Sequence, residues 1–271
     1  MKSTEPLVPT QCQTPNAQWH DLHDPRIDRT WRIFISPPKH CSTEPSPCLF
    51  MLDGNGTFPI ALAARETNPA LATLALVGVG YPEESAFSPE RRYFDLTPPT
   101  DLSRLPKRYG PVFPCGGQAE FARFIREILL PVVRERLAPE LGTLSLFGHS
   151  LGGLFTLHMA LTQPGIWAQG FASSPSLWFN REAVAADIAT ARTLIAKGNN
   201  DLSRLTLSAG SREAAYMQGE VADLAAALSV LNLDKPVSAL TFAGETHISV
   251  LPVALNKALQ WAADPDLGLA G

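Results

Sequence analysis

This sequence lacks the features that would take it to a polyanion, into a bilayer or onto a structural metal. Its formal net charge is −4 and its Lys and Arg residues form no extended stripe, so the electrostatic footprint for nucleic acid is missing and no such partner is expected. No apolar run approaches the roughly 20 residues that span a bilayer. The longest, LATLALVGVGY at 71–81, reads as a buried central strand, and no membrane association is expected. The N-terminus, MKSTEPLVPTQCQTPNAQWHD, is polar and proline-bearing and has no apolar stretch of the secretory-signal kind. A cytoplasmic protein is expected, or a periplasmic one if a signal has been trimmed. Cysteine is scarce: Cys12, Cys41, Cys48 and Cys115 make no CxxC pair, and only His40 beside Cys41 puts a histidine near one. Neither a metal nor a disulfide framework is expected, and the thiols are read as free. Internal repeats and low-complexity tracts are missing too.

What is present is apolar mass in short, regular pieces. A chain of 271 residues, 45% of them hydrophobic, buries one sizeable core and is expected to form a single domain over 1–271. Strand-like runs at 30–36, 48–53, 71–81, 143–148, 170–174, 204–210 and 236–244 are nearly continuous in apolar residues. They alternate with helical patterns, which predicts an α/β fold with a mostly parallel central sheet and helices on both faces. The helix at 117–134 is the clearest: Phe121, Phe124, Ile125, Ile128, Leu129 and Val132 share one face, and Pro131 is expected to kink or shorten its end. Further helices are expected at 152–162, 181–197, 213–231 and 249–263. Residues 1–29 and 82–116 fit no regular element.

Chemistry enters at LFGHSLGGLF, residues 146–155, where Ser150 stands between Gly148 and Gly152 at a strand-to-helix junction. That is the context a G-x-S-x-G nucleophile elbow requires. A sharp turn strains the serine backbone, and residues without a Cβ beside it let strand and helix approach. The helix that follows begins with unpaired N–H groups beside the serine, where an oxyanion can form.

A serine hydroxyl needs a base. Of the six histidines, His20, His23 and His40 precede the core strands and read as surface residues, and His158 reads as packed or exposed on the helix. His149 lies inside the elbow, where its side chain points away from the serine, and is kept as a substrate-side candidate. His247, between the last strand and the last helix, has the position in chain order that an α/β-hydrolase base requires. Its orienting acid should lie between the two, among Glu182, Asp187, Asp201, Glu213, Glu220, Asp223, Asp234 and Glu245. Glu213, after the strand at 204–210, is the best placed; a Ser–His dyad is the alternative. The oxyanion donors are expected to be the Leu151 N–H and the turn at Gly54 and Asn55, although a plain D-G-N-G turn accounts for that composition equally well.

The stretches MLDGNGTFP, LVGVGYP, RRYFDLTPP, LFGHSLGGLFTLHMALTQP, ASSPSLWFN, SAGSRE and GETHISVLPVALNKALQW together resemble the esterase D-like branch of the α/β-hydrolases, most of all its siderophore esterases. The resemblance runs from Trp31 to Trp261. It implies an α/β-hydrolase fold and a serine esterase acting on a small-molecule ester, without cofactor, with Ser150 as nucleophile and His247 as base. The family's R-x-x-D-x-T-P loop matches Arg92, Asp95, Thr97 and Pro98. Its SPSLWW loop matches Ser174 to Trp178, with Phe179 in place of the last tryptophan. Those loops line the family's pocket, which makes Arg91, Arg92 and Trp178 the expected substrate contacts. An arginine and an aromatic face suit an anionic catecholate, and an Arg92–Asp95 ion pair is the structural alternative. The resemblance secures ester hydrolysis better than it secures the substrate. Esters or thioesters of other small acyl groups, acyl transfer to an alcohol, and ligand binding without catalysis remain open.

Overall fold

The computed structural model describes residues 17–40, 45–105, 113–137, 141–199, 204–231 and 237–264. Eight strands form one sheet: β1 Gln18–Asp24, β2 Arg29–Ser36, β3 Ser46–Leu52, β4 Ala75–Gly80, β5 Leu141–His149, β6 Gln169–Ser173, β7 Arg204–Gly210 and β8 Ser238–Phe242. Their order is β1-β2-β4-β3-β5-β6-β7-β8. β1 pairs antiparallel with β2, and β2 with β4; from β4 onward every pair is parallel. The sheet is that of an α/β-hydrolase.

The helices are α1 Gly54–Thr67, α2 Pro89–Asp95, α3 Gln118–Phe124, α4 Leu130–Arg136, α5 Leu151–Thr162, α6 Arg181–Ala196, α7 Ala215–Ser229 and α8 Val250–Ala263. They cover both faces, and strand periodicity divides the core. In β3, Phe50 and Leu52 pack with Phe121, Phe155 and Leu224 on one side. Leu49 and Met51 pack with Phe58, Leu255 and Trp261 from α1 and α8 on the other. Each large side chain so enclosed contributes on the order of 1.5–3 kcal/mol.

Three expectations are corrected. Residues 17–29 are not irregular, because β1 lies there and extends the sheet antiparallel beyond β2; the expected irregular residues 1–16 lie outside the described part. The segment 82–116 contains α2, a seven-residue helix too short to display a period in sequence. Pro131 does not shorten its helix: a π-helical turn at Ile125–Leu129 joins α3 to α4, and the path continues to Arg136. The wider turn takes up the hydrogen-bond mismatch that the missing proline N–H creates. α1 was also unexpected. Asp53-Gly54-Asn55-Gly56 reads locally as a turn and Pro59 as a breaker, yet Phe58, Ala61 and Leu62 bury against the sheet while Pro59 stays exposed.

The topology creates the site. From β3 the chain crosses to β4 on one side, then returns across β3 to β5 on the other, so the crevice between the C-terminal ends of β3 and β5 is a topological switch point where ligands bind. Ser150 follows β5 and Asp53 follows β3. Among the described residues no helix is long and apolar enough to cross a membrane.

Candidate active site

Backbone strain marks the crevice before any side chain does. Among the described residues the non-glycine residues with positive φ are Asp28, Asp53, Ser150 and Ser174, and the last three sit at the C-terminal ends of β3, β5 and β6. Such strain persists only where the surroundings over-determine it, and it concentrates at functional sites. Ser150 has φ 59° and ψ −117°. Its N–H donates to the Ser173 carbonyl at 2.9 Å, and its carbonyl accepts the Ser176 N–H at 3.1 Å. The glycines beside it differ in what they permit. A Cβ on Gly148 would fall on the Gly152 carbonyl, and one on Gly153 would lie 2.7 Å from the Ser173 oxygen, whereas one on Gly152 would meet its nearest neighbour, Asp53 Oδ2, at an ordinary 3.4 Å. The tight approach therefore rests on Gly148 and Gly153.

The three residues expected to form a relay come together from separate loops. His247 Nε2 lies 3.1 Å from Ser150 Oγ, and its Nδ1 lies 3.0 Å from Glu213 Oε2. Glu213 Oε1 accepts from Ser174 Oγ at 2.5 Å and from the Gly210 N–H at 2.7 Å. Burial pushes the Glu213 carboxyl up, but the hydrogen bonds from His247, Ser174 and Gly210 outweigh it and hold the group below the usual glutamate value. An ionised carboxylate only accepts, so the His247 proton sits on Nδ1 and leaves Nε2 to accept from the serine hydroxyl. Glu213 is thus the carboxylate that meets His247 Nδ1.

Two serines that the sequence reading gave no role complete this constellation. Ser176 Oγ is 3.2 Å from Ser150 Oγ and Ser174 Oγ holds Glu213; each is 1% exposed. Both belong to the loop after β6, the stretch whose resemblance to the SPSLWW loop had implied a place along the pocket without a role for either hydroxyl. His149 is buried, with its ring centroid 4.7 Å from that of His247 and its Nδ1 3.3 Å from Ser173 Oγ. Burial, then repulsion from His247 and Arg92, lowers its pKa to about 3. It is thus a neutral wall behind the His247 ring.

Leu151 opens α5 and Gly54 opens α1, so their N–H groups belong to first helical turns, which have no partners inside the helix. The Asp53 carbonyl takes the N–H groups of Gly56 and Thr57 at 2.9 and 3.0 Å. The Asn55 side chain is fully engaged at the end of β4: Oδ1 accepts from the Tyr81 N–H at 2.8 Å, and Nδ2 donates to the Tyr81 and Glu83 carbonyls at 2.9 and 2.8 Å. Only the backbone of the turn is left for a ligand.

The expected substrate contacts differ in what holds them. Trp178 is half-buried two residues beyond Ser176, and Phe179 is buried edge-on to Tyr93. Arg91 is turned inward, where Nη2 donates to the Thr30 carbonyl at 2.9 Å and the guanidinium lies over the Tyr81 ring. Arg92 pairs with Asp53 and not with Asp95, through Nε to Oδ1 at 2.8 Å and Nη2 to Oδ2 at 3.0 Å. Asp95 instead accepts from Trp31 Nε1 at 2.7 Å and Arg29 Nη1 at 3.4 Å. Cys48 and Cys115 are free thiols; Cys12 and Cys41 lie outside the described residues.

Fold, elbow and relay define a hydrolase of the α/β class. Comparison with known proteins gives the family: the model described as "Putative esterase" matches residues 25–248, and the chain belongs to that family. The chain is 36% identical over 269 residues to a protein of Bacillus subtilis named ferri-bacillibactin esterase BesA, covering 93% of this chain and 91% of the relative. It is 36% identical over 200 residues to an Emericella nidulans protein named siderophore enterobactin esterase, covering 69% of this chain and 65% of that one. A solved structure described as siderophore hydrolase EstA from Aspergillus nidulans superimposes with a TM-score of 0.81 at 26% identity, over 98% of this chain and 99% of that one.

Proposed function

We propose that the chain is a serine carboxylester hydrolase that acts through an acyl-enzyme on the ester bonds of a catecholate siderophore trilactone. The observation that carries the chemistry is the unbroken relay from Ser150 Oγ through His247 to Glu213, with steps of 3.1 and 3.0 Å. Both contacts lie within hydrogen-bond reach, as proton transfer demands. The substrate reading is supported by the names of the relatives, which are esterases of siderophores.

The chemistry follows from the proton positions. As Ser150 Oγ bonds to the ester carbonyl carbon, its proton passes to His247 Nε2, and Glu213 stabilises the resulting imidazolium. The carbonyl oxygen gains negative charge, and in this reading the N–H of Leu151 and the backbone of the Gly54–Asn55 turn receive it. Collapse breaks the bond to the alcohol, which leaves with the proton from Nε2, and the acyl group stays on Ser150. Water then attacks the acyl carbon, gives its proton to Nε2, and frees the acid as that proton returns to Ser150 Oγ. No step calls for a metal or a cofactor. Trp178 is the aromatic face offered to the substrate, and Ile248, 79% exposed directly after the base, lies on the solvent side.

A hydrolysis panel tests the reading. Iron-free and ferric catecholate trilactones, short p-nitrophenyl esters and S-formylglutathione are compared by kcat/KM. The proposal expects a trilactone to lead the panel; a preference for S-formylglutathione or for simple acyl esters would contradict the substrate, and no hydrolysis of any ester would contradict the activity.

A further inference from the structure

The R-x-x-D-x-T-P segment invites the reading that its arginine meets the charge of the substrate, and the geometry gives that arginine another occupation. Asp53, 4% exposed, stands in the left-handed region at φ 53° and ψ 46°. A bulky residue would resist that backbone and Asp tolerates it, but nothing in the dihedral alone holds the carboxylate in place. Arg92 does, with a two-pronged contact at 2.8 and 3.0 Å. Such planar pairing fixes orientation as well as position. The same carboxylate faces the elbow: Asp53 Oδ2 is 3.4 Å from where a Cβ on Gly152 would stand, which puts it against the first turn of α5. A negative charge therefore sits beside the place where the reaction makes its own negative charge.

We infer that Arg92 is a positioning residue that acts on ester cleavage through Asp53 and does not read the charge of the substrate. It fixes the Asp53–Gly54–Asn55 turn, which opens α1 at the C-terminal end of β3, and it cancels the Asp53 charge next to the developing oxyanion. The other side of the turn is already held by the three hydrogen bonds of the Asn55 side chain to the end of β4. The two anchors leave the Gly54–Asn55 backbone little freedom, which is the preorganisation an oxyanion site needs. This inference rests on the proposed ester hydrolysis and specifies how that site is kept in order.

The test separates kcat from KM for a neutral substrate, p-nitrophenyl butyrate, and an anionic one, an iron-free triscatecholate trilactone. Arg92→Ala should lower kcat by a similar factor on both, on the order of 10²-fold, the worth of disturbing one oxyanion donor. KM should change little on either. Arg92→Lys should retain part of the activity, because an ammonium cannot reproduce the fork. The decisive variant is Arg92→Ala with Asp53→Asn, which removes the stranded charge while Asn keeps the left-handed backbone accessible. It should recover at least about tenfold of the lost kcat on both esters. The double variant leaves no buried unpaired charge, so if Arg92→Ala alone does not fold, its own kcat and KM on the two esters, measured against the native chain, carry the test: an equal loss of kcat on both supports the inference and a KM rise confined to the triscatecholate overturns it.

A rise in KM confined to the triscatecholate, with kcat kept, would overturn the inference, and so would a double variant no better than Arg92→Ala. Fluorophosphonate labelling of Ser150 in the unaltered chain reads the proposed chemistry separately. Labelling together with an anion-selective KM effect overturns the role of Arg92 alone, whereas no labelling overturns the esterase mechanism and this inference with it.

Discussion

At the scale of the residue, the contacts around Ser150 and His247 carry unequal weight. In the proposed mechanism Glu213 gives His247 its tautomer and stabilises its positive form, so Glu213→Gln should lower kcat by about 10³- to 10⁴-fold. Ser176 Oγ lends Ser150 Oγ one neutral hydrogen bond, and Ser176→Ala should lower kcat by only about tenfold, the equivalent of one such bond. Steady-state kinetics on a short aryl ester checks both. Equal losses would mean that Ser176 belongs to the relay itself. Chain order singled out Ser150 at the elbow and His247 before the last helix, whereas Glu213, after the penultimate strand, was only the best placed of eight carboxylates. Asp53, Ser174 and Ser176 were not legible, since their roles depend on contacts with residues 39, 39 and 26 positions away. No local pattern encodes those separations.

At the scale of the element, α2 is the piece on which the site leans. Its Arg92 reaches the site through Asp53, and its Asp95 is buried against β2 through Trp31 and Arg29. Burial raises Asp95 from 3.8 to about 6, against the opposing pull of Trp31, Arg91 and Arg29. A carboxyl whose folded value lies above its unfolded one binds its proton more tightly when folded. Its contribution to stability is therefore full below the unfolded value and is lost as the pH rises from 3.8 to about 6. Asp95→Asn removes that dependence. The unfolding free energy of Asp95→Asn relative to the native chain should move in favour of the variant by on the order of 2 kcal/mol between pH 4 and pH 7. Urea melts at both pH values measure it, and a pH-independent difference would contradict the buried carboxyl. Neither α1 nor α2 was legible, for different reasons: glycines and Pro59 hide the start of α1, and α2 is too short for periodicity. α5, α6, α7 and α8 were legible as helical patterns that alternate with the apolar strands.

At the scale of the whole molecule, the parallel sheet is what turns scattered loops into one site. β3, β5, β6 and β7 run the same way and are hydrogen-bonded neighbours, so Asp53, Ser150, Ser174 and Glu213 all emerge at one edge, and the loop after β8 brings His247 over them. The sheet itself was readable from the alternation of apolar strands with helices, and its parallel part from the lack of polar alternation in those strands. The antiparallel β1 was not, because QWHDLHD is mostly exposed and carries little apolar signal. The central claim, that Ser150 carries the acyl group, is tested most directly by intact-mass spectrometry of the chain quenched within milliseconds of mixing with an activated aryl ester. The account predicts a mass increase equal to the acyl group, located on the peptide containing Ser150 and missing in Ser150→Ala. Full hydrolysis by Ser150→Ala, or an acyl group found on any other residue, would contradict it.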